Sequence, residues 1–316
     1  MTLVRKSELM KVAIFVFDGV QIIDYTGPYE VFGQGGQFDV YTVSKTGKTI
    51  TTAMGMSMNP KYAFADSPEP DVLVIPGGDV HGPQGDPEVL DWIRKTVGGA
   101  DHVLTVCNGA FILASTGLLD GLSATTFYGL IDELRDLAPR VNVVSDRRYV
   151  DNGKIVTSAG LSSGIDGALH MISRIRGEGR AQAVALNLEY DWRPDSGYAR
   201  AALADMRLPD LKQPEGARVT LLSTRGDTER WERRWELRHE TTVPALIEHI
   251  ERQLESTKSW TRGGSSRSSE GAGSTRWIFV DGSGVRWENE ITVERQAGGD
   301  IFTITTTNRR IAGMGM

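Results

Sequence analysis

Cys107 is the one cysteine in the chain of 316 residues, and the sequence around it suggests a nucleophile. It follows the apolar run HVLTV and precedes Asn108, Gly109 and the helix-compatible run AFILASTGLL. A side chain on so sharp a strand-to-helix turn is held out of the sheet, near the positive end of the following helix. Because helix N-termini lower the pKa of thiols, this pattern predicts an exposed, reactive thiolate. The alternative is an inert buried cysteine, the more common case for a cysteine without such a context.

Two glycines, Gly77 and Gly78, follow a second apolar run, DVLVIP. A tight turn at the end of a strand can aim backbone N–H groups at a developing anion. Together with the backbone N–H of Asn108, these glycines are therefore predicted to form an oxyanion hole beside Cys107. A simple glycine turn is the alternative interpretation.

The elements that position these residues follow from the apolar pattern. The runs VAIFVF, FDVYTV, DVLVIP and HVLTV alternate with helix-compatible sequence, which favours a parallel sheet covered by helices on both faces. Helical spacing of apolar residues predicts helices over 86–97, 165–175 and 181–190, the first ended by Gly98 and Gly99. Residues 141–158 read as a hairpin that turns at Asp151-Asn152-Gly153.

The last third of the chain differs in kind. Residues 194–217 contain three prolines and little periodicity, which is typical of a linker. Beyond them, a strand over 231–238, an amphipathic helix over 243–254 and three β-patterned runs (RWIFV, VRWENEITV and IFTITTT) predict an α+β domain with an antiparallel sheet. Five of the seven tryptophans lie here and suggest an independent core, while 263–274 reads as a mobile loop. The predicted organisation is a tail (1–10), a catalytic domain (11–193), a linker (194–217) and a Trp-rich accessory domain (218–316).

Six stretches, in order and spacing, resemble the ThiJ/PfpI superfamily, related to class I glutamine amidotransferases: IIDYTGPYEVF (22–32), VLVIPGG (72–78), VCNGAFILASTGLLDG (106–121), ATTFY (124–128), SAGLSSGIDGALH (158–170) and LEYDW (188–192). The resemblance covers about residues 11–192 and is strongest to the isonitrile hydratases. It implies a flavodoxin-like, doubly wound sheet and a homodimer. The C-terminal third resembles no family that we can name.

The resemblance also implies roles for individual residues. Cys107 is expected to be the nucleophile and Asp24 its acidic partner, because a carboxylate buried beside a thiolate tends to keep a proton that it can donate. The alternative for Asp24 is a cap or salt bridge at the start of a helix. His81, Phe127 and Tyr128 are expected to line the pocket.

Two positions depart from the superfamily pattern. Asn108 stands where the hydratases generally have threonine and the peptidase-like members have histidine, and we expect its side chain to contact substrate. Phe127 stands where many relatives have a histidine, so a Cys-His pair at that location is absent from the sequence. Peptidase chemistry is disfavoured for this reason.

The favoured function is the addition of water to a small carbon electrophile, most concretely an isonitrile. The alternatives are a non-catalytic sensing or protein-interaction role and an aldehyde-handling, deglycase-like or redox-sensing role. A regulator of the AraC type is disfavoured, because residues after 270 are β-patterned and residues 213–316 carry 15 basic and 15 acidic side chains. The net charge of −6, the absence of a long apolar run and the lone cysteine favour a cytoplasmic protein that acts on a small molecule, without nucleic acid, membrane, metal or cofactor.

Overall fold

A computed structural model describes residues 9–196, 198–257, 259–263, 267–268, 271–282, 284–297 and 299–311. The chain forms two compact units, Met1–Ala201 and Ala202–Met316. Each unit has its own cluster of buried apolar side chains. None of the helices in the described ranges has the length and apolar character needed to cross a lipid bilayer.

The first unit contains eleven strands and seven helices among its described residues. The strands are β1 (Met10–Phe15), β2 (Phe38–Ser44), β3 (Ile50–Thr51), β4 (Ser57–Met58), β5 (Tyr62–Ala63), β6 (Val72–Ile75), β7 (His102–Val106), β8 (Ser123–Ala124), β9 (Asn142–Val143), β10 (Tyr149–Asp151) and β11 (Ile155–Ser158). The helices are α1 (Ile22–Gln34), α2 (His81–Gly85), α3 (Pro87–Gly99), α4 (Gly109–Ser115), α5 (Ile131–Leu137), α6 (Ser163–Arg176) and α7 (Glu178–Asn187).

Seven of these strands form the central sheet, in the order β10-β11-β7-β6-β1-β2-β5. All neighbouring pairs are parallel except β10 with β11, which form an antiparallel hairpin over 149–158. The hairpin predicted over 141–158 begins too early, because β9 pairs with β8 outside this sheet. Strands β1, β6, β7 and β11 are almost wholly buried, as their continuous apolar runs require in a sheet covered on both faces. The prediction of a mostly parallel α/β sheet is confirmed.

The chain reverses its direction of sheet growth between β1 and β6. From β1 it adds β2 on one side, and it then returns to add β6, β7 and β11 on the other side. In doubly wound sheets, ligands bind at such a switch point, outside the carboxyl ends of the strands. The segments after β1, β6, β7 and β11 all lie at this edge, and they carry Asp24, Gly77, Cys107 and Gly160.

Several predicted boundaries need correction. Met10 belongs to β1 and not to a tail, whereas residues 1–8 of the predicted tail lie outside the described residues. Gly98 and Gly99 lie within α3, whose N-cap Asp86 accepts a hydrogen bond from the Glu88 N–H. The last predicted helix of this unit begins and ends three residues earlier than expected, at Glu178 and Asn187.

The second unit consists of an antiparallel sheet and one long helix among its described residues. Its elements are β12 (Arg218–Gly226), β13 (Arg230–Arg238), α8 (Val243–Ser256), β14 (Trp260–Arg262), β15 (Arg267–Ser268), β16 (Ala272–Val280), β17 (Arg286–Arg295) and β18 (Ile301–Ile311). The main sheet has the order β12-β13-β18-β17-β16-β14, and β15 pairs with β16. Helix α8 begins at the Thr242 N-cap and packs its apolar face, including Leu246, Ile250 and Leu254, on the sheet.

The sequence pattern misses part of this unit. Strand β12 is not predicted, because seven of its nine residues are exposed and its apolar residues do not alternate cleanly. The predicted loop over 263–274 is wrong where β16 begins at Ala272 and where β15 forms, and residues 264–266 and 269–270 of that loop lie outside the described residues.

Candidate active site

Cys107 occupies a strained turn between β7 and α4. Its φ of 58° lies in the left-handed region, which costs a residue with a side chain on the order of 1–3 kcal/mol. The neighbouring strand holds the turn in place: the Cys107 N–H donates to the Ser158 carbonyl at 3.1 Å, and the Thr126 hydroxyl donates to the Cys107 carbonyl at 2.9 Å. The predicted elbow is therefore present, and β11 and the ATTFY segment fix it from outside.

Close backbone packing explains the glycines around this turn. A Cβ atom on Gly109 would lie 2.1 Å from the Ile75 carbonyl oxygen. One on Gly160 would lie 3.0 Å from the Cys107 Sγ and 2.6 Å from the Phe127 ring. Gly160 thus brings its backbone directly against the sulfur, in a space where a Cβ atom would displace the Phe127 ring or the sulfur.

Asp24 lies in the first turn of α1 and is fully buried. Its two carboxylate oxygens accept hydrogen bonds from the backbone of two other segments, from the Leu161 N–H at 3.0 Å and from the Gly77 N–H at 3.3 Å. A side-chain hydrogen bond also joins it to Cys107. The carboxylate therefore faces the sulfur and caps no helix end, which removes the alternative interpretation of Asp24 as a capping residue.

The protonation of this pair differs from the prediction. Burial raises the pKa of Asp24 to about 6, even though the hydrogen bonds from Leu161, Cys107 and Gly77 act in the opposite direction. Burial also raises the pKa of Cys107 well above its usual value, and the Asp24 carboxylate raises it further. The Asn108 N–H lowers it by less. The expected exposed thiolate is therefore wrong: Cys107 is 8% exposed and rests as a thiol beside an ionisable carboxylate.

The side chain of Asn108 has a role that the sequence analysis did not anticipate. Its Oδ1 accepts from the Gly78 N–H at 2.8 Å, and its Nδ2 donates to the Gly78 carbonyl at 2.8 Å. This two-way clamp joins the turn after β7 to the turn after β6. The expectation that the Asn108 side chain contacts substrate is corrected, because both ends of the amide are already used.

The same hydrogen bonds change the predicted oxyanion hole. The Gly78 N–H is bound by Asn108 and the Gly77 N–H is directed at Asp24, so neither of these two donors is open to a substrate oxygen. The Asn108 N–H lies against the Cys107 sulfur. Of the three predicted donors, Asn108 alone faces the reacting atoms, and the negative charge that it stabilises is that of the sulfur.

A cavity of about 260 Å³ lies beside this pair, with Phe127, Tyr128, Gly160, Leu161 and Arg200 in its wall. Cys107 and Asp24 are not part of this wall, but Gly160, which is, packs against the Cys107 sulfur and links the cavity to the nucleophile. His81 does not line this cavity: it is exposed at the first residue of α2, which corrects the expectation for this side chain.

Three groups in the site were missed as functional residues: the Thr126 hydroxyl, the backbone of Gly160 and the Leu161 N–H. All three residues lie in the stretches ATTFY and SAGLSSG, which resemble the superfamily, so the sequence marked these stretches but not the roles of the residues in them. Their roles depend on contacts between residues far apart in the chain, which spacing does not reveal. Within the described residues, no group of three or more His, Cys, Asp or Glu side chains is placed to hold a metal ion.

Known proteins share sequence and fold with part of this chain. The model of the DJ-1/PfpI family matches residues 10–174. An isonitrile hydratase from Pseudomonas putida is 35% identical over 192 residues, which are 60% of this chain and 82% of that protein. The HTH-type transcriptional regulator CdhR of Pseudomonas aeruginosa is 28% identical over 50% of this chain and 48% of its own length.

Among solved structures, a ThiJ/PfpI family protein from Pseudomonas syringae superposes with a TM-score of 0.55 and is 29% identical. That match covers 60% of this chain and 78% of the other. The matches support the flavodoxin-like α/β fold of the first unit. By sequence and by structure, this chain belongs to the DJ-1/PfpI family.

Proposed function

We propose that the first unit is a cysteine-dependent hydratase that adds water to a small carbon electrophile, most concretely converting an isonitrile to an N-formamide. The observation that carries the proposal is the buried thiol and carboxylate pair, Cys107 with Asp24. The two groups hold one exchangeable proton between them near neutral pH, because burial makes two negative charges side by side unfavourable. The similarity to an isonitrile hydratase supports the choice of electrophile.

In the first half of the reaction, the Cys107 sulfur bonds to the terminal carbon of the isonitrile. The proton held by the pair is delivered through Asp24 to that same carbon. The product is a covalent thioimidate, Cys107-S–CH=N–R, which contains all the atoms of the thiol and the isonitrile. A resting thiol suits this step, because the proton that the carbon needs arrives with the nucleophile.

In the second half, the Asp24 carboxylate takes a proton from water, and the water oxygen bonds to the thioimidate carbon. Asp24 passes that proton to the nitrogen, which gives Cys107-S–CH(OH)–NH–R. The carbon–sulfur bond then breaks, the hydroxyl proton returns through Asp24 to the sulfur, and the formamide HC(=O)–NH–R leaves. The Asn108 N–H stabilises the charge on the departing sulfur.

The cavity beside the pair gives room for the R group of the substrate. Its volume of about 260 Å³ suits a small substituent, and the rings of Phe127 and Tyr128, 4.4 Å apart, offer it an aromatic wall. The Arg200 guanidinium lies 4.4 Å from the centre of the Tyr128 ring and adds positive charge at the same wall. An aromatic or weakly polar isonitrile therefore fits better than a cationic one.

Turnover of a panel of isonitriles by the purified chain tests the proposal. We expect N-formamide to form, and we expect Cys107→Ala to reduce the rate to that of the solution without enzyme. Asp24→Asn keeps the shape of the side chain and removes its proton, so it should lower kcat by about 100-fold or more. For the wild type, kcat/KM should rise with pH through about 6 and then level off, because Asp24 must be ionised to accept a proton.

The purified chain is also incubated with 2-oxoaldehydes, which the Cys107 thiol could attack. Consumption of these aldehydes without formamide formation from any isonitrile would replace the hydratase by the aldehyde-handling alternative. The regulator alternative is not favoured by the second unit, whose described residues form a β-sheet with the single long helix α8.

A further inference from the structure

We propose that the second unit is a binding site for a small amphipathic carboxylate, held in a cavity between its sheet and the segment 208–214. The sheet is wider than the helix that covers it. Helix α8 packs on β14, β16 and β17, which leaves the inner face of β12, β13 and β18 to be covered by something else. That uncovered half carries Trp235 and Leu237 on β13, beside their register partners Ile304 and Phe302 on β18.

The segment 208–214 covers this half and is tied to the end of α8. The Lys212 N–H donates to the Gln253 side-chain oxygen at 2.7 Å. The Lys212 carbonyl accepts from the Gln253 side-chain nitrogen at 3.0 Å and lies 3.0 Å from the His249 Nε2. The segment is thus held as a strap across the sheet, and it forms one wall of a half-open cavity of about 670 Å³. Ligand pockets in proteins have volumes of roughly 300–1,000 Å³.

The wall of the cavity is apolar over most of its area. Side chains come from the sheet (Trp235, Ile304), from α8 (Leu246, Ile250) and from the strap (Leu211). Such a wall favours an alkyl or aromatic body over a sugar or a nucleotide, because a polar ligand would lose its hydrogen bonds to water without replacement. The volume and the lining together select a ligand with a substantial apolar body.

One charged group on the sheet floor gives the cavity a polar end. The Arg233 guanidinium lies 5.8 Å from the centre of the Trp235 ring, next to the apolar wall. It is 3.7 Å from the Asp205 carboxylate, longer than a hydrogen bond, so this contact does not use up its five N–H donors. A guanidinium matches a carboxylate with two parallel hydrogen bonds. The lining carries the positive charges of Arg233 and Lys212 against the negative charge of Asp210, and Asp205, which forms an ion pair with Arg233, lies outside the lining. The polar end therefore favours an anion.

Calorimetric titration of the full chain with dodecanoate, below its micelle concentration, tests the proposal. We expect saturable binding of one dodecanoate per chain and binding of dodecanol, which has the same body without the charge, that is at least about tenfold weaker. Arg233→Gln should weaken dodecanoate binding by about tenfold or more and bring it close to that of dodecanol. Arg234→Gln is the matched control: it removes the same charge from the same strand, at an exposed neighbouring position that does not line the cavity, and should leave the affinity unchanged.

Filling the cavity provides a second, independent arm. Ile304→Trp from the sheet side and Leu211→Trp from the strap side each place an indole in the cavity, and each should abolish binding while thermal unfolding shows a folded chain. If one of them fails to fold, the other carries the test. Absence of saturable binding to the wild type, equal affinity for dodecanol, or unchanged affinity in both Arg233→Gln and a folded cavity-filling variant would each overturn the proposal.

Discussion

At the scale of single residues, the site is the pair of Asp24 and Cys107. Burial raises the pKa of both groups, so that one proton stays on the pair near neutral pH. Asp24 accepts backbone hydrogen bonds that would lower its pKa, yet complete burial outweighs them. The same burial keeps Cys107 a thiol. A helix N-terminus acts in the opposite direction, but α4 is only seven residues long and contributes less than the surroundings do. The reactivity of this cysteine is therefore set by its carboxylate partner.

The raised pKa of Asp24 predicts a stability that depends on pH. The folded state holds this proton more tightly than the unfolded state, so the stabilisation is fully present below the unfolded value of 3.8 and is lost as pH rises to about 6. Asp24→Asn removes this term. The free energy of unfolding of Asp24→Asn, relative to that of the wild type, should rise by on the order of 3 kcal/mol between about pH 3 and pH 7 and stay constant above. Urea unfolding across this range measures it, and a difference that does not change with pH would contradict it.

Asn108 provides a second prediction at this scale. Asn108→Ala removes both hydrogen bonds to Gly78 and leaves two part-buried backbone groups without these partners, which should cost about 1–3 kcal/mol of stability and also reduce turnover. Asn142→Ala is a matched control, because the Asn142 side chain makes a single exposed hydrogen bond, to Ser123. Denaturant unfolding compares the two. Equal, small losses of stability in both variants would show that the hydrogen bonds between Asn108 and Gly78 do not stabilise the fold.

At the scale of elements, four strand ends converge because a doubly wound sheet brings them to one edge. The apolar runs predicted β1, β2, β6 and β7 and the elbow after β7 correctly. The patterns could not predict the Asn108 clamp on Gly78, 30 positions away, or the Leu161 N–H that approaches Asp24 across 137 positions. These contacts arise only when separate segments pack together. The error about the thiolate has the same origin, since burial of Cys107 is a tertiary property.

The segment after β11 is predicted to be sensitive to substitution, because it packs against the nucleophile. Gly160→Ala would press a methyl group on the Cys107 sulfur and the Phe127 ring, so it should lower turnover about tenfold or more by displacing the reacting atom. Gly98→Ala on α3 meets no atom within 4 Å and should leave the rate unchanged while stabilising that helix by up to about 1 kcal/mol. Rates of alkylation of Cys107 by iodoacetamide report the displacement directly, and identical rates in the two variants would contradict it.

At the scale of the whole molecule, the chain carries two hydrophobic cores that share no buried residue. The sequence pattern placed Trp231, Trp235, Trp260, Trp277 and Trp287 in the second part of the chain and the lone cysteine in the first. These residues are natural reporters: tryptophan fluorescence follows mainly the second core, and protection of Cys107 from thiol reagents follows the first.

Core substitutions should therefore affect the two reporters separately. Ile247→Ala in α8 should lower the fluorescence transition in guanidinium by about 2–4 kcal/mol and leave the thiol-protection transition in place. Ile172→Ala in α6, buried to a similar extent in the first core, should have the reverse effect. Coincident shifts of both transitions in both variants would show that the cores unfold as one.

The mass of the intact protein during turnover shows directly whether Cys107 is the nucleophile. We predict that acid quenching of the chain with a saturating aryl isonitrile traps the thioimidate, so that the protein mass increases by one isonitrile molecule. Peptide mapping should place this mass on Cys107, and Asp24→Asn should form the adduct more slowly, because the first step then lacks the group that carries the proton to the carbon. Formamide production by Cys107→Ala at the wild-type rate, or an adduct on a residue other than Cys107, would contradict the assignment of Cys107 as the nucleophile.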